Sequence, residues 1–221
     1  MPDKMNFSEQ DIYLSGLSWL REGDEQPDYR RYLSAGECRR LSEGLRDAIF
    51  VSCRCLEKCG VEVPDGIIAA TDSGCMRNTA KFLDDLAQYG EDALKPSYFM
   101  YSTHNCFATS IALHLKCHGY NVTHSNGNMS VDNALTDALH QLRKGKAGNI
   151  LLVYAEETPI GPGNAEPGFF AVLVSLKPLT ALSSLSDESD RSGSSPQPSQ
   201  VTSLCLKDFQ SFCSSFSQQL R

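Results

Sequence analysis

Positive charge is in short supply: the 221 residues hold 20 Lys plus Arg against 27 Asp plus Glu, a formal net charge of −7. Such a balance repels a phosphate backbone, so nucleic acid is excluded as the expected partner. Long apolar runs are missing too. The longest, Ile150 to Ala155 and Phe169 to Leu176, fall far short of the roughly 20 residues that span a bilayer, and no membrane span is expected. Met1 to Gln10 contains no apolar core of the secretory type, so the chain is expected in the cytoplasm. The nine cysteines are an odd set at irregular spacing, which reads as reduced thiols rather than a disulfide framework. No HExxH pattern is present. Cys53, Cys55 and Cys59 have no second ligand pair at zinc spacing, and neither a metal nor a cofactor is expected.

With 41% hydrophobic and 21% charged residues, the chain has the composition of a folded domain. A short strand is expected at Ile12 to Gly16. Leu41, Leu45, Ile49, Phe50, Cys53 and Leu56 recur at helical steps within a single predicted helix from Ala35 to Cys59, closed by Gly60. Ile67 to Thr71 reads as a buried strand. Cys75 to Tyr89 reads as a helix with Met76, Thr79, Phe82, Leu83 and Leu86 inward, and His104 to Cys117 as another. Tyr120 to His124 is a predicted strand, and a further helix starts at Ser130 as N-cap, with Ala134, Leu135, Ala138, Leu139 and Leu142 on one face. Strands at Asn149 to Ala155 and Gly168 to Leu176 complete the pattern, with a Gly/Pro-rich loop at 159–167 between them. Strand–helix alternation implies an α/β fold with parallel pairing. Residues 182–200 are rich in Ser, Asp, Gly and Pro and read as a flexible linker or insertion. A strand or turn and an amphipathic helix over 201–221 are expected to pack on the same domain, 1–181.

Four stretches carry a family likeness: Ile67 to Gly74 (IIAATDSG), Pro96 to Asn105 (PSYFMYSTHN), His118 to Thr123 (HGYNVT), and Asp132 to Ala155 with its spaced leucines and ILLV end. In their order and spacing they resemble the first half of a β-ketoacyl synthase, from about Tyr13 to Leu176. They are most similar to the short ketosynthase-like proteins of aryl polyene and flexirubin-type pigment synthesis, some of them chain-length factors. The resemblance implies half of a thiolase-like fold, a five-stranded mixed, mostly parallel sheet covered by helices.

In that family a nucleophilic cysteine sits where a strand meets a helix amino terminus. There, backbone N–H groups lower its pKa and hold an oxyanion. The family spacing places that position nine residues after Gly119 and seventeen before Gly145. Both lead to Asn128, within Ser125-Asn126-Gly127-Asn128-Met129. An amide side chain forms no thioester, and the two histidines that the family's second half contributes are outside the matched stretch. The resemblance therefore implies a catalytically silent subunit without a catalytic residue of its own. Its partners would be a full-length β-ketoacyl-acyl carrier protein synthase, or a second copy of itself, and acyl carrier protein. It would meet its partner through Asn121, Val122, Thr123, His124 and Ser125. Phe99, His104, Asn105, Phe107 and Ile111 would shape or gate the acyl tunnel.

Two rival readings come from other classes. Cys106, two residues after His104, is a candidate nucleophile for a thiol acyltransferase or hydrolase, against the blander reading of a small buried core thiol. A homodimeric scaffold without an acyl ligand is the other. His104 and Asn105 serve equally as helix caps. Glu156 and Glu157, ending a strand, read as solvated loop carboxylates without a role.

Overall fold

The computed structural model describes residues 13–21, 24–127, 129–157, 168–176 and 179, leaving the Ala93 side chain aside. Strand β1 (Tyr13–Arg21) leads through a 3-10 turn (Tyr29–Arg31) to helices α1 (Ala35–Arg40) and α2 (Glu43–Cys59). Strand β2 (Gly66–Ala70), helix α3 (Met76–Tyr89), a second 3-10 turn (Glu91–Ala93), α4 (Pro96–Met100) and α5 (Cys106–Leu115) follow. Then come β3 (Tyr120–His124), α6 (Ser130–Arg143), β4 (Asn149–Glu156) and β5 (Gly168–Ser175).

The strands form one mixed sheet in the order β1-β5-β4-β2-β3. Pairing of β2 with β3 and with β4 is parallel; pairing of β4 with β5 and of β5 with β1 is antiparallel. Only β5 runs against the others, so the sheet is mixed, with four of its five strands pointing the same way. Eleven residues separate β4 from β5, fewer than a crossover helix needs, so β5 turns back on β4.

Alternation along each strand builds two cores. Ile67, Ala69, Leu151, Val153, Phe169, Ala171 and Leu173 face α2 and α5, while Ile68, Ala70, Ile150, Leu152, Phe170, Val172 and Val174 face α6. On the first face Leu45, Ile49, Leu56, Phe107 and Ile111 are fully buried; on the second, Ala134, Ala138 and Leu142 are. Each such Leu, Ile or Phe contributes roughly 1.5–3 kcal/mol by leaving water.

Several elements depart from the sequence expectation. Gly16 does not end the first strand. It takes φ +65° at a break in register between Ser15 and Ser18, and β1 runs on to Arg21. A side chain there would strike Cys59 and the Cys55 carbonyl, so the bulge lets α2 lie directly on the strand. The long helix from Ala35 is two. Leu41 and Ser42 are extended, and a capping box of Ser34 with Glu37 starts the first piece while Ser42 starts the second. Ser130 is the first residue of α6 rather than its N-cap, which is Met129.

The face expected inward on α3 is not buried. Asn78 alone is, and Leu83 is 55% exposed, because α3 packs on the 3-10 turn and α4 rather than on the sheet. Cys75 and Cys106, expected as reduced thiols, are joined in a disulfide at the base of this excursion; Cys38, Cys53, Cys55, Cys59 and Cys117 are free. Burial, with the nearby charges of Glu37 and Glu57 adding to it, pushes the Cys53 thiol up to about 12, and burial, with Cys59 beside it, holds Cys55 well above its ordinary value, as expected of inert core thiols. Among the described residues no helix is long and apolar enough to cross a membrane. The expected loop at 159–167, the linker 182–200 and the segment 201–221 lie outside the described residues.

Candidate functional site

The carboxyl ends of β2, β3 and β4 share one edge of the sheet, the edge where open α/β folds hold their ligands. Glu156, at the end of β4, gathers it. Its carboxylate accepts the Thr71 hydroxyl at 2.9 Å, the Asp72 N–H at 2.6 Å and the Ser73 N–H at 3.1 Å. The Thr71 hydroxyl in turn accepts the Gly74 N–H at 2.9 Å. From β3, the Ser125 hydroxyl donates to the Asp72 carbonyl, and Ser130 accepts the Asn126 N–H and donates to the Thr71 carbonyl. A residue expected as solvated is therefore fully buried and holds the loop after β2 rigidly beneath the corner between β3 and α6.

That corner runs from the end of β3 at His124 to the start of α6 at Ser130, and its text contains no thiol. Asn128 lies outside the described residues; Gly127 and Met129 on either side of it are described. The Met129 and Ser130 N–H groups donate to the carbonyls of Asn126 and Gly127, so these two donors are engaged within the turn.

β3 is an edge of the sheet, hydrogen-bonded to β2 alone among the described strands. Tyr120 and Asn121 are exposed and Val122, Thr123 and His124 half-buried. Asn121 donates to the Ala108 carbonyl, tying the strand to α5. On the other face Tyr120 and His124 both reach Asp137 of α6, at 3.0 and 3.1 Å. Burial would raise the Asp137 carboxyl, but hydrogen bonds from Gln141, His124 and Tyr120 outweigh it and hold it below the usual range. The Thr123 hydroxyl is buried without a partner among the described residues.

The five tunnel candidates fall into two groups. Phe107 and Ile111 are 0% exposed in the core between α5 and the sheet, Phe107 edge-on to Phe169 at 6.1 Å. Phe99 is 62% exposed and tilted against Phe82, and His104 and Asn105 are exposed on the loop before α5. Asn105 occupies the N-cap position without a capping bond from its side chain, and accepts the Thr103 hydroxyl at 2.6 Å. Cys106, the rival nucleophile, is 3% exposed and bonded to Cys75. His114, four residues before His118 in the sequence, meets Glu37 at 2.8 Å.

A cleft of about 160 Å³ opens at the same sheet edge, beyond β4. Its walls are Leu20 and Arg21 of β1, Tyr29, the first turns of α2 with Glu43, Gly44 and Asp47, Arg77 of α3, Glu156, Glu157 and Phe169. None of the tunnel candidates lines it. Glu157, also expected as solvated, is 2% exposed; one oxygen accepts the Arg77 N–H at 2.8 Å and the other has no hydrogen-bond partner among the described residues. Burial raises its pKa above the usual carboxylate value. Asp47 accepts the Tyr29 hydroxyl at 2.5 Å, and burial with Glu43 nearby lifts it to about 6. Sequence reasoning missed this cleft. Its one early sign was the adjacent Glu156 and Glu157 at a strand end.

Residues 16–162 match the family model for the β-ketoacyl synthase N-terminal domain, and the chain belongs to that family. Solved structures of the same fold include a ketosynthase, ApeO, in complex with its chain length factor, ApeC, from Xenorhabdus doucetiae. The match there has a TM-score of 0.61 at 19% identity, over 75% of this chain and 79% of that one. The ishigamide ketosynthase/chain length factor aligns with a TM-score of 0.61 at 16% identity, and AntDE:AntF, a type II polyketide synthase acyl-carrier protein in complex with its ketosynthase, with 0.63 at 13%. The match spans 62% of the chain in each of these two, over 75% of this one. No curated protein sequence matches this chain.

Proposed function

We propose that this chain is a catalytically silent, chain-length-factor-like subunit that pairs with an active β-ketoacyl-acyl carrier protein synthase and shapes the tunnel for its growing acyl or polyene chain. One observation carries the reading: in a ketosynthase-family fold, the corner between β3 and α6 contains Ser, Asn, Gly, Asn and Met and no sulfhydryl. Without a thiol there, no acyl group is accepted for condensation. The free edge of β3 supports the pairing half of the proposal, since an unpaired strand edge is a ready template for a partner's strand. Asn121 to Ser125 would then lie at the subunit boundary, with acyl carrier protein delivering substrate to the partner's nucleophile. Exposed Leu83, Tyr89, Phe99 and Met100 on α3 and α4 offer apolar surface that a partner could cover.

The test is co-expression with a full-length ketosynthase, followed by purification and incubation with malonyl- and acyl-loaded carrier protein. The expected result is a stable heterodimer in which intact-mass analysis finds the acyl adduct on the ketosynthase alone. A homodimer that ignores the ketosynthase would favour the scaffold reading. A thioester on this chain, lost on Cys106→Ser, would replace the proposal with a thiol-dependent enzyme.

A further inference from the structure

The cleft beside β4 is left unexplained by the subunit role, and its chemistry is one-sided. Six carboxylates line it, Asp24, Glu25, Glu43, Asp47, Glu156 and Glu157, against the guanidinium groups of Arg21 and Arg77. Glu156 is used up by the loop after β2. Arg77 is shared between a backbone bond to Glu157 and an exposed ion pair with Glu43 at 2.6 Å. What remains at its wall is the Glu157 side chain, one of whose carboxylate oxygens is buried against α2 and unpartnered among the described residues, together with half-buried Asp47.

A buried polar atom without a partner costs roughly 1–3 kcal/mol and points to a missing donor. Gly44 has a part in this. A side chain at that position would strike the Glu157 carboxyl group, so glycine leaves the carboxylate its place against the first turn of α2. Leu20 and Phe169 supply apolar wall next to the acids. The acids are dispersed around the opening, and among the described residues no three acidic, His or Cys side chains gather closely enough to hold a metal ion. A dispersed ring of charge with an apolar wall suits an organic cation with a short hydrocarbon stem. The volume suits a molecule about the size of benzene or smaller.

We infer that this cleft binds a primary alkylammonium group, with Glu157 and Asp47 accepting its N–H protons and Leu20 and Phe169 packing against its stem. Two sources share that chemistry, a free short amine and a lysine side chain of a partner protein. The occupied site satisfies the orphan oxygen and offsets the repulsion among the carboxylates, so occupation also steadies the junction of β1, α2 and β4.

The experiment is calorimetric titration of the full-length chain at pH 8 with n-butylamine, putrescine and N-acetyl-lysine methylamide, with 1-butanol as the neutral comparison. Saturable binding of an amine, absent for 1-butanol, is expected. Loss of one charged acceptor should weaken it by about tenfold or more in Asp47→Asn and in Glu157→Gln. Binding of the lysine amide alone identifies a protein side chain as the occupant; binding of putrescine or butylamine alone identifies a free amine. The inference is overturned if no amine saturates, if 1-butanol binds as well, or if amine affinity is unchanged in Asp47→Asn. That variant keeps an acceptor for Tyr29 and is the decisive one should Glu157→Gln fail to fold. None of these outcomes depends on whether the chain pairs with a ketosynthase.

Discussion

Asp47 shows how a single side chain couples the sheet edge to pH. Burial, with Glu43 adding to it, raises its carboxyl from 3.8 to about 6, so its charged form is less favourable in the folded chain than in the unfolded one. The sign follows directly. Below about pH 4 the group is protonated in both states and costs nothing; as pH rises through 6 the native state must carry the charge and loses stability. Asp47→Asn is therefore expected to raise the melting temperature at pH 7–8, by an amount worth at most about 3 kcal/mol, and to lose that advantage near pH 4. Thermal melts of both proteins across pH 4–8 check this. An unchanged difference over that range would mean that the folded carboxyl titrates as it does in the unfolded chain. The neighbouring acids were the least legible residues in the sequence. Glu156 and Glu157 look like any pair of solvated loop carboxylates until the loop after β2 and the first turn of α3, some 80 residues earlier, are seen donating to Glu156 and Glu157 respectively.

At the level of elements, legibility followed the local signal. Strands β2 and β3 and helices α3 and α6 stand within a residue of their sequence positions, because apolar period and flanking glycines act locally. The misplaced features depended on distant partners. The bulge at Gly16 exists because α2 packs there, and α3 is half-exposed because it leans on α4 instead of the sheet. The corner between β3 and α6 was legible as a strand-to-helix turn, since the predicted end of β3 and start of α6 bracket it; that the family keeps its nucleophile at position 128 is what the resemblance implies. β3 supplies the prediction at this scale. A lysine in the middle of an edge strand opposes strand–strand association while leaving the sheet behind it intact. Val122 is half-buried, and Val122→Lys is expected to abolish co-purification with a ketosynthase while the circular dichroism spectrum of the isolated chain is retained. Retained co-purification would move the interface elsewhere.

On the scale of the molecule, two cores stand on either face of one sheet, while the α3–α4 excursion contributes little to either. Its aromatic residues Phe82 and Phe99 meet each other at 5.9 Å, and Leu83, Tyr89, Phe99 and Met100 face solvent. The excursion leaves the body next to Cys75 and returns at Cys106, positions 31 residues apart that are covalently joined. Such a closed ring changes what a cut would do. A protease that nicks the backbone between residues 76 and 105 releases nothing: the two pieces migrate as one species on a gel without reductant and separate only once dithiothreitol is added. A Cys75→Ser chain cut at the same place falls into two bands under either condition. The loop can be severed, in other words, without the protein losing a part.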